Sequence, residues 1–293
     1  MWLALRREIV VISADSRQIY RGFDIGTAKP SREDRERVPH RGIDVAAPSQ
    51  RFSAADWAAL ARAGIDDAFA QSRMPVVVGG TGFYIASLLR PLWDQPALDP
   101  ARRQHLAHEL ATLATDELRR WCEALDPPRA HLGRAQLLRA LEIALLTGER
   151  LSDLHVARAR PAIFSASYLL VDPGARLPSR IVARAAAMFD AGWLDEVRTL
   201  MRDVPADAPA WNATGYDAVR AMLRGEVDRE RAIDRAVIET RQYAKRQRTW
   251  FRHQLAGDRV QRVDTGEPGW QEIVDRWMTD TESRMRATPE PPR

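Results

Sequence analysis

The sequence predicts an α/β fold in which a parallel sheet carries helices and a helical insertion interrupts the core. Two short apolar runs rich in β-branched residues, Ile9–Ile12 and Met74–Val78, are typical of buried strands. Each run leads into a polar loop that contains glycine, and the second loop is followed at once by a helical pattern. From 93 to 161 the strand signals stop, and charged segments rich in leucine and alanine predict helices.

The other elements follow from the same periodicities. A helix opens after Ser53, because its hydroxyl and the Asp56 carboxylate can cap the first amides, and apolar residues at helical spacing carry it to Ala70. A third strand is expected at Ser167–Val171. Four helices are expected after that strand, at 177–191, 192–201, 213–223 and 229–255.

These elements divide the chain into an α/β core, formed by 1–92 and 162–270, and a helical insertion at 93–161. The charged stretch 31–41 is expected to be exposed. The polar tail at 281–293 is rich in proline and is expected to be disordered.

The composition is that of a protein with a substantial core. Of the 293 residues, 45% are hydrophobic, and no apolar run approaches the roughly 20 residues of a transmembrane helix. The single cysteine, Cys122, excludes an internal disulfide and a zinc module built from several cysteines. The first apolar residues are too few and wrongly ordered for a signal peptide, so we expect a cytoplasmic protein.

The overall charge is weak support for a polyanionic partner. The net charge is +4 and the pI is about 9.6, a balance that is common in proteins that never bind nucleic acid. A stronger signal lies near the C-terminus, where a helical spacing aligns Arg241, Lys245, Arg248 and Arg252 in one cationic stripe. A stripe without matching acids is repulsive unless an anion pairs with it, and RNA phosphate is the expected partner.

The most informative residue is Asp15, which follows the first strand. In doubly wound sheets ligands bind at the carboxyl ends of the strands, so a carboxylate there is a candidate for chemistry. It can act as a general base, hold Mg²⁺ or cap the turn that follows. The loop Gly79–Gly82 lies at the corresponding end of the second strand, where Thr81 can hydrogen-bond a ligand or cap the next helix.

Five segments between about positions 3 and 264 resemble the tRNA dimethylallyltransferase family. Asp15–Pro30 matches D-S-x-x-x-Y-x-G-x-D-I-G-T-A-K-P, and Gly79–Tyr84 matches G-G-T-x-x-Y. Arg139–Glu142 matches R-A-L-E, Arg180–Val197 matches R-I-x-x-R-x-x-x-M-x-x-x-G-x-x-x-E-V, and Thr240–Arg252 matches T-R-x-Y-A-K-R-Q-x-T-W-F-R. The resemblance implies a core like that of P-loop nucleoside kinases and an insertion that grips the anticodon stem-loop.

The resemblance implies transfer of the dimethylallyl group from dimethylallyl diphosphate to N6 of adenosine 37 in tRNA, with Mg²⁺ as the cofactor. Asp15 would take the proton from the adenine amine, whose lone pair is delocalised into the ring. The nucleotide, which must leave the anticodon stack, would be held by Asp15, Ser16, Arg17, Gln18 and Thr81. The expected working form is a monomer, with no membrane partner.

The resemblance assigns further residues to the two substrates. In the insertion, Arg103, Gln136 and Arg139 fall at positions of tRNA contact, although the family usually carries arginine where this chain has Gln136. Gln136 can still donate a hydrogen bond but supplies no charge. Arg184 would clamp the diphosphate of the donor, because a planar guanidinium suits a phosphate leaving group. Solvated or salt-bridged arginines are the ordinary alternatives.

The basic helix near the C-terminus separates two kinds of prenyltransferase. The resemblance places Arg241 and Lys245 of this helix on the tRNA backbone. A prenyltransferase that acts on free adenylate shares the core signatures, but it should need neither the helical insertion nor the basic helix. The sequence therefore favours tRNA as the acceptor.

One family element has no counterpart in the sequence. Family members carry a phosphate-binding G-x-T-x-x-G-K-[ST] loop before the first signature, and no G-x-x-x-x-G-K-[ST] occurs among the 293 residues. A start codon assigned too late and a real truncation both explain this, and the complete later signatures favour the former. We expect this chain to bind prenyl diphosphate poorly. The alternative function is a truncated, catalytically impaired protein that binds tRNA.

Overall fold

The fold is taken from a computed structural model, in which residues 2–90, 96, 98–158, 161–255 and 259–287 are described. The chain divides into two compact units. Unit 1 comprises Met1–Leu89 and Phe164–Arg293, and unit 2 comprises Arg90–Ile163. All the strands named below belong to unit 1.

Two parallel sheets lie in unit 1. Their strands are β1 (Ile9–Ser13), β2 (His40–Arg41), β3 (Met74–Val78), β4 (Tyr168–Val171) and β5 (Val260–Val263). The first sheet has the order β2-β1-β3, and the second pairs β4 with β5. Ser13 lies opposite Val78, so the carboxyl ends of β1 and β3 are side by side.

Most of the remaining described residues are helical. The helices are α1 (Arg32–Arg37), α2 (Ala54–Ala70), α3 (Gly82–Leu89), α4 (Pro100–Thr112), α5 (Thr115–Leu125), α6 (Arg134–Thr147), α7 (Leu151–Ala157), α8 (Leu177–Asp190), α9 (Trp193–Asp203), α10 (Tyr216–Leu223), α11 (Arg229–Gln254) and α12 (Trp270–Ala287). Helices α4 to α7 form unit 2 around a core of its own, in which Leu118, Leu137, Leu141 and Ile143 are fully buried. None of the described helices is both long and apolar enough to cross a membrane.

Helix α2 holds the carboxyl end of β1 in place. Ser53 and Asp56 form a capping box at its start, as the sequence predicts. One turn on, the buried Trp57 donates its Nε1 hydrogen to the Ser13 carbonyl (2.8 Å) and stacks on Tyr84 of α3, with ring centroids 4.9 Å apart. Burial raises the pKa of Tyr84 to about 12, so its hydroxyl stays protonated. This aromatic pair fixes the strand end that leads into the candidate site.

Another part of unit 1 is organised around four buried aromatic side chains, those of Phe23, Trp193, Trp211 and Tyr216. Their rings meet mostly edge to face, with centroids 4.9 to 6.2 Å apart in the contacting pairs. The loop around Gly26 rests on this core, and a Cβ at Gly26 would lie 2.2 Å from Trp193 Nε1. The segment after β1 is therefore fixed against α9 and α10.

The three predicted strands are confirmed as β1, β3 and β4, and the predicted parallel α/β architecture is confirmed with them. The stretch 31–41, expected to be a charged exposed segment, forms α1 and the short strand β2. Ser31 caps α1. Strand β2 has only two residues and contains no apolar run from which it could be predicted. Strand β5 was not predicted, because its sequence, Val260–Val263, has two polar residues between two valines and so shows neither an apolar run nor an alternating pattern.

The expected disordered tail at 281–293 needs a correction in its first part. Residues 281–287 continue α12, where Glu282 pairs with Arg7 (2.8 Å) and so ties this helix to the segment before β1. A long-range ion pair of this kind has no signature in the local composition. The remainder, 288–293, lies outside the described residues.

Candidate active site

The site lies at the carboxyl ends of β1 and β3. The Ala14 N–H donates to the Val78 carbonyl (2.7 Å), and the Thr81 N–H donates to the Ala14 carbonyl (3.1 Å). Gly79 makes this approach possible, because a Cβ there would lie 2.2 Å from the Ala14 carbonyl oxygen. The two segments singled out in the sequence, Asp15–Gln18 and the glycine loop, are therefore neighbours.

The two carboxylate oxygens of Asp15 have different surroundings. Oδ1 accepts hydrogen bonds from the backbone N–H groups of Arg17 (2.8 Å) and Gln18 (3.4 Å), which is the geometry of a capped turn. Among the described residues none donates a hydrogen bond to Oδ2, and the residue is half-buried. Capping the turn therefore leaves one oxygen of Asp15 available for chemistry.

Thr81 faces the Asp15 segment instead of capping its own helix with its side chain. Its hydroxyl oxygen accepts the Ser16 N–H (3.1 Å) and lies 3.4 Å from the Ser16 hydroxyl. Arg17 is half-buried on the same turn. One carboxylate and two hydroxyls thus converge at this edge of the sheet.

The Gln18 side chain is hydrogen-bonded within the protein. Its Nε2 donates to the carbonyls of Thr27 (3.2 Å) and Ala28 (3.1 Å), and its Oε1 accepts from the Ser13 hydroxyl (3.1 Å). The two carbonyls determine which end of the amide carries the nitrogen. The amide expected to contact tRNA therefore has protein partners, and it joins the turn of Asp15 to the following loop.

Lys29 anchors the far end of that loop. Its side chain is 2% exposed, and its ammonium group donates to the Tyr20 carbonyl (2.6 Å) and pairs with Asp24 (2.6 Å) and Asp44 (2.5 Å). A lysine this deeply buried needs such partners, because an unpaired charge would be costly to remove from water. The sequence contains Lys29 within a motif but carries no sign of its burial.

Glu196 ties the same loop to α9 and α10. Its Oε2 accepts the N–H groups of Asp24 (3.0 Å) and Ile25 (2.6 Å), and its Oε1 accepts the Tyr216 hydroxyl (2.6 Å). Burial and the nearby Glu196 charge raise the pKa of Tyr216, so its hydroxyl remains a donor. Sequence reasoning assigned no role to this carboxylate, and its place in the Arg180–Val197 segment was the one available signal.

Helix α11 packs on the glycine loop. A Cβ at Gly80 would lie 1.7 Å from the Gln247 side chain, and one at Gly82 would lie 2.3 Å from the Trp250 ring. Positions three residues apart share a helix face, so one side of α11 covers the loop. The sequence identified both segments, but their contact depends on the tertiary fold.

The expected cationic stripe of α11 is paired at one position. Arg241 and Lys245 are exposed, and no described residue forms an ion pair with either of them. Arg248, in contrast, pairs with Asp172 and donates to the Gly174 carbonyl (3.0 Å). The expectation of a stripe without acids is corrected here, because the end of β4 brings an acid that helix periodicity does not reveal.

Arg184 lies on the exposed side of α8. The buried side of α8 packs on α11 through Ile181, Ala185 and Val237. Within the part of the chain that the structure describes, no carboxylate pairs with the Arg184 guanidinium. The salt-bridge alternative for this residue therefore has no support among the described contacts.

Within unit 2, three predicted residues lie on α6 and the neighbouring α4. Arg103 and Arg139 both pair with Glu142, which is 8% exposed, and the Arg139 contact is 2.5 Å. The Gln136 Oε1 accepts the Gly133 N–H (3.2 Å) at the start of α6. Glu142 thus orders the two arginines, while Gln136 caps its own helix.

The described residues do not form a magnesium site by themselves. Among residues 2–287, apart from the gaps given above, no three carboxylate, imidazole or thiolate groups come together. The candidate site offers the Oδ2 atom of Asp15, whereas Mg²⁺ requires an octahedron of oxygen ligands. Water and the oxygens of a diphosphate would have to supply the remaining ligands.

The chain is similar to one family of proteins over most of its length. The family model described as IPP transferase matches residues 18–254. A tRNA dimethylallyltransferase of Anaeromyxobacter sp. (strain K) is 42% identical over 258 residues, which cover 85% of this chain and 84% of that protein. A tRNA dimethylallyltransferase of Thermosynechococcus vestitus is 41% identical over 256 residues, 85% of this chain and 80% of that protein.

Solved structures show the same similarity. The full-length tRNA isopentenylpyrophosphate transferase of Bacillus halodurans has a TM-score of 0.68 and 31% identity, over 98% of this chain and 93% of that one. A eukaryotic dimethylallyltransferase acting on tRNA has a TM-score of 0.77 over 98% of this chain and 75% of that one. At 22% identity, this second likeness concerns the fold.

Proposed function

The chain belongs to the IPP transferase family, and we propose that it transfers the dimethylallyl group of dimethylallyl diphosphate to N6 of adenosine 37 in tRNA. The products are N6-(dimethylallyl)adenosine and pyrophosphate. The observation that carries the proposal is the convergence of the Asp15 carboxylate with the hydroxyls of Ser16 and Thr81 at one sheet edge. A base beside hydrogen-bonding groups suits an acceptor amine.

In this proposal Asp15 is the general base. The N6 lone pair is delocalised into the adenine ring, so the amine becomes a good nucleophile only as it loses a proton. Oδ2 takes that proton while N6 bonds to C1 of the dimethylallyl group and the bond from C1 to the diphosphate oxygen breaks. The two N–H groups on Oδ1 fix the orientation of the carboxylate. A positioned base contributes roughly 10²–10⁴-fold to the rate.

The acceptor nucleotide is held around this base. We expect the flipped adenine to lie against the turn Asp15–Gln18, in which the Gln18 amide bonds to protein groups, and against Thr81, whose hydroxyl is fixed by the Ser16 N–H. Arg17, on the same turn, supplies a guanidinium for a neighbouring phosphate. The contacts in the site offset the free energy needed to take the base out of its stack.

Arg184 is proposed to hold the diphosphate. Its exposed guanidinium has planar donors that match phosphate oxygens, and no described carboxylate neutralises it. It would stabilise the negative charge that grows on the leaving group as the carbon–oxygen bond breaks.

The rest of the tRNA is proposed to bind basic side chains of each unit. In unit 1, Arg241 and Lys245 offer unpaired charges on the exposed side of α11. In unit 2, Arg103 and Arg139 are ordered on one buried carboxylate, with Gln136 on the same helix as Arg139. Phosphate contacts of this kind give affinity without sequence selection. The proposed working form is a monomer.

We further propose that this chain binds the donor weakly, because no phosphate-binding G-x-x-x-x-G-K-[ST] loop occurs among the 293 residues. Titration calorimetry with dimethylallyl diphosphate should detect no binding in the micromolar range, and micromolar affinity would refute this.

The absence of that motif from the 293 residues favours a second candidate function, that of a protein that binds tRNA without prenylating it. Nucleoside analysis separates the two. A tRNA with A36-A37 is incubated with the protein and millimolar donor, digested and analysed by mass spectrometry. The proposed enzyme yields N6-(dimethylallyl)adenosine from this tRNA and none from a tRNA with G37. Binding of tRNA with no prenylated nucleoside would establish the second function.

A further inference from the structure

The hydrogen bonds around Asp15 continue into a loop that lies behind the site. Oδ1 of Asp15 accepts the Gln18 N–H, and the Gln18 amide in turn holds the carbonyls of Thr27 and Ala28. At the start of the same loop, the Glu196 carboxylate holds two backbone N–H groups. An unbroken series of contacts therefore joins α9 to the carboxylate at the end of β1.

We propose that Gln18 and Glu196 are positioning residues, which act through the loop Asp24–Ala28 to hold Asp15 in its reactive orientation. The inference rests on the proposed function, which makes Asp15 the base. It gives the Gln18 side chain a task other than direct contact with tRNA.

The partners of Gln18 support this assignment. The amide makes three hydrogen bonds inside the protein, at 3.1 to 3.2 Å, and a contact with RNA would compete with them. A carboxylate at this position would face two carbonyl oxygens and repel them. Gln18→Glu therefore keeps the size of the side chain while releasing the loop from the turn of Asp15.

The surroundings of Glu196 support it as well. The carboxylate accepts three neutral donors, two from the loop backbone and one from Tyr216, and no described cation pairs with it. Glu196→Ala leaves the two loop N–H groups without an acceptor. Glu196→Gln can retain both contacts with the loop, because its oxygen accepts the two N–H groups, although its nitrogen takes the acceptor away from the Tyr216 hydroxyl. The loop also packs closely against Trp193 at Gly26, and this contact restricts the loop to one position.

Three measurements on the full chain test the proposal. Hydrogen–deuterium exchange reports the N–H groups of Arg17 and Gln18, filter binding gives the Kd for an unmodified anticodon stem-loop RNA, and prenyl transfer gives kcat and the KM for tRNA. The variants are Gln18→Glu, Glu196→Ala and Glu196→Gln. Matched controls are Gln271→Glu on α12 and Glu123→Ala on α5, both at exposed positions.

For Gln18→Glu and Glu196→Ala we expect at least about tenfold faster exchange and a kcat lowered about tenfold or more, with Kd and KM for RNA within about twofold of wild type. Glu196→Gln should restore both readouts to within about threefold, and the controls should match wild type. A tenfold rise in Kd or KM with unchanged exchange would overturn the proposal and make Gln18 a direct contact. Unchanged exchange, Kd and kcat in both variants would overturn it too.

These outcomes stay separate from the fate of the proposed function. If the wild-type chain transfers no prenyl group, the proposed function fails, while exchange and RNA binding still decide whether Gln18 and Glu196 order the turn of Asp15. If wild type transfers and the variants lose no kcat, the positioning role fails and the enzyme assignment stands.

Discussion

At the scale of single residues, Asp44 shows how two basic side chains lower the pKa of a partly buried carboxylate. Burial by itself would raise the pKa of Asp44, but hydrogen bonds from Lys29 and Arg35 outweigh burial, and the pKa lies below its ordinary value. A carboxylate with a lowered pKa in the folded protein contributes stability above its unfolded pKa, about 3.9. That contribution is lost as the pH falls through the folded pKa.

We therefore predict that Asp44→Asn lowers the free energy of unfolding at neutral pH, and that its deficit relative to wild type shrinks below about pH 4. Urea denaturation of both proteins from neutral to acidic pH measures this difference. A deficit that stays constant across the range would show that the charge on Asp44 is not its source.

Gly26 must be glycine because the Trp193 side chain leaves no room for a Cβ atom at this position. A Cβ would lie 2.2 Å from the Trp193 indole, whose ring is fully enclosed by the aromatic core. Gly26→Ala should therefore lower the free energy of unfolding by about 1–3 kcal/mol through overpacking. Gly133→Ala is the matched control, because the nearest atom would be 3.7 Å from its Cβ. Equal stability of the two variants in urea would contradict this account of the loop.

The chemistry available at a residue is only partly readable from its type and place. The sequence located Asp15 and Thr81 but left base, ligand and cap open for Asp15. The structure shows that Oδ1 of Asp15 caps the turn and that Oδ2 accepts no hydrogen bond from the described residues. Gln18 and Glu196 could not be linked from the sequence, because their contacts pass through backbone groups of a loop between them.

At the scale of elements, the exposed side of α11 is where tRNA affinity should be concentrated. Arg241→Gln and Lys245→Gln each remove one unpaired charge, so each should weaken tRNA binding and lower the slope of log K against log salt by about 0.7–0.9. Arg246→Gln is the control, since Arg246 lies on another face of the helix, near Tyr243. Filter binding at several salt concentrations provides the slopes. Equal slopes for all three variants would show that tRNA does not bind preferentially to the face of α11 that carries Arg241 and Lys245.

Elements with strong local signals were predictable, and elements held by distant contacts were not. The capping box of Ser53 and Asp56 predicts the start of α2, and apolar runs rich in β-branched residues predict β1 and β3. By contrast, β2 is two residues long and β5 has two polar residues between two valines, so neither carries a pattern that stands out from a loop. The long basic helix was predicted, but its pairing with Asp172 was not.

At the scale of the whole molecule, two separate cores and two parallel sheets explain what the chain can do. Unit 1 places the candidate base at a sheet edge, and unit 2 orders basic side chains on its own core. Composition predicts a helical insertion at 93–161, and the structure has a helical unit at Arg90–Ile163. The separation of the strands into two sheets could not be predicted from composition, because it depends on contacts between strands that are far apart in the sequence.

Prenyl transfer by wild type and Asp15→Asn tests the central claim most directly. Radiolabelled dimethylallyl diphosphate in the millimolar range is supplied with unmodified tRNA bearing A36-A37, and label in the tRNA is counted. The substitution keeps the shape of the side chain, so the turn should stay folded while the base is lost. We predict transfer by wild type, a loss of about 10²-fold or more in Asp15→Asn, and equal tRNA binding by both. Undiminished transfer by Asp15→Asn, or none by wild type, would contradict the account.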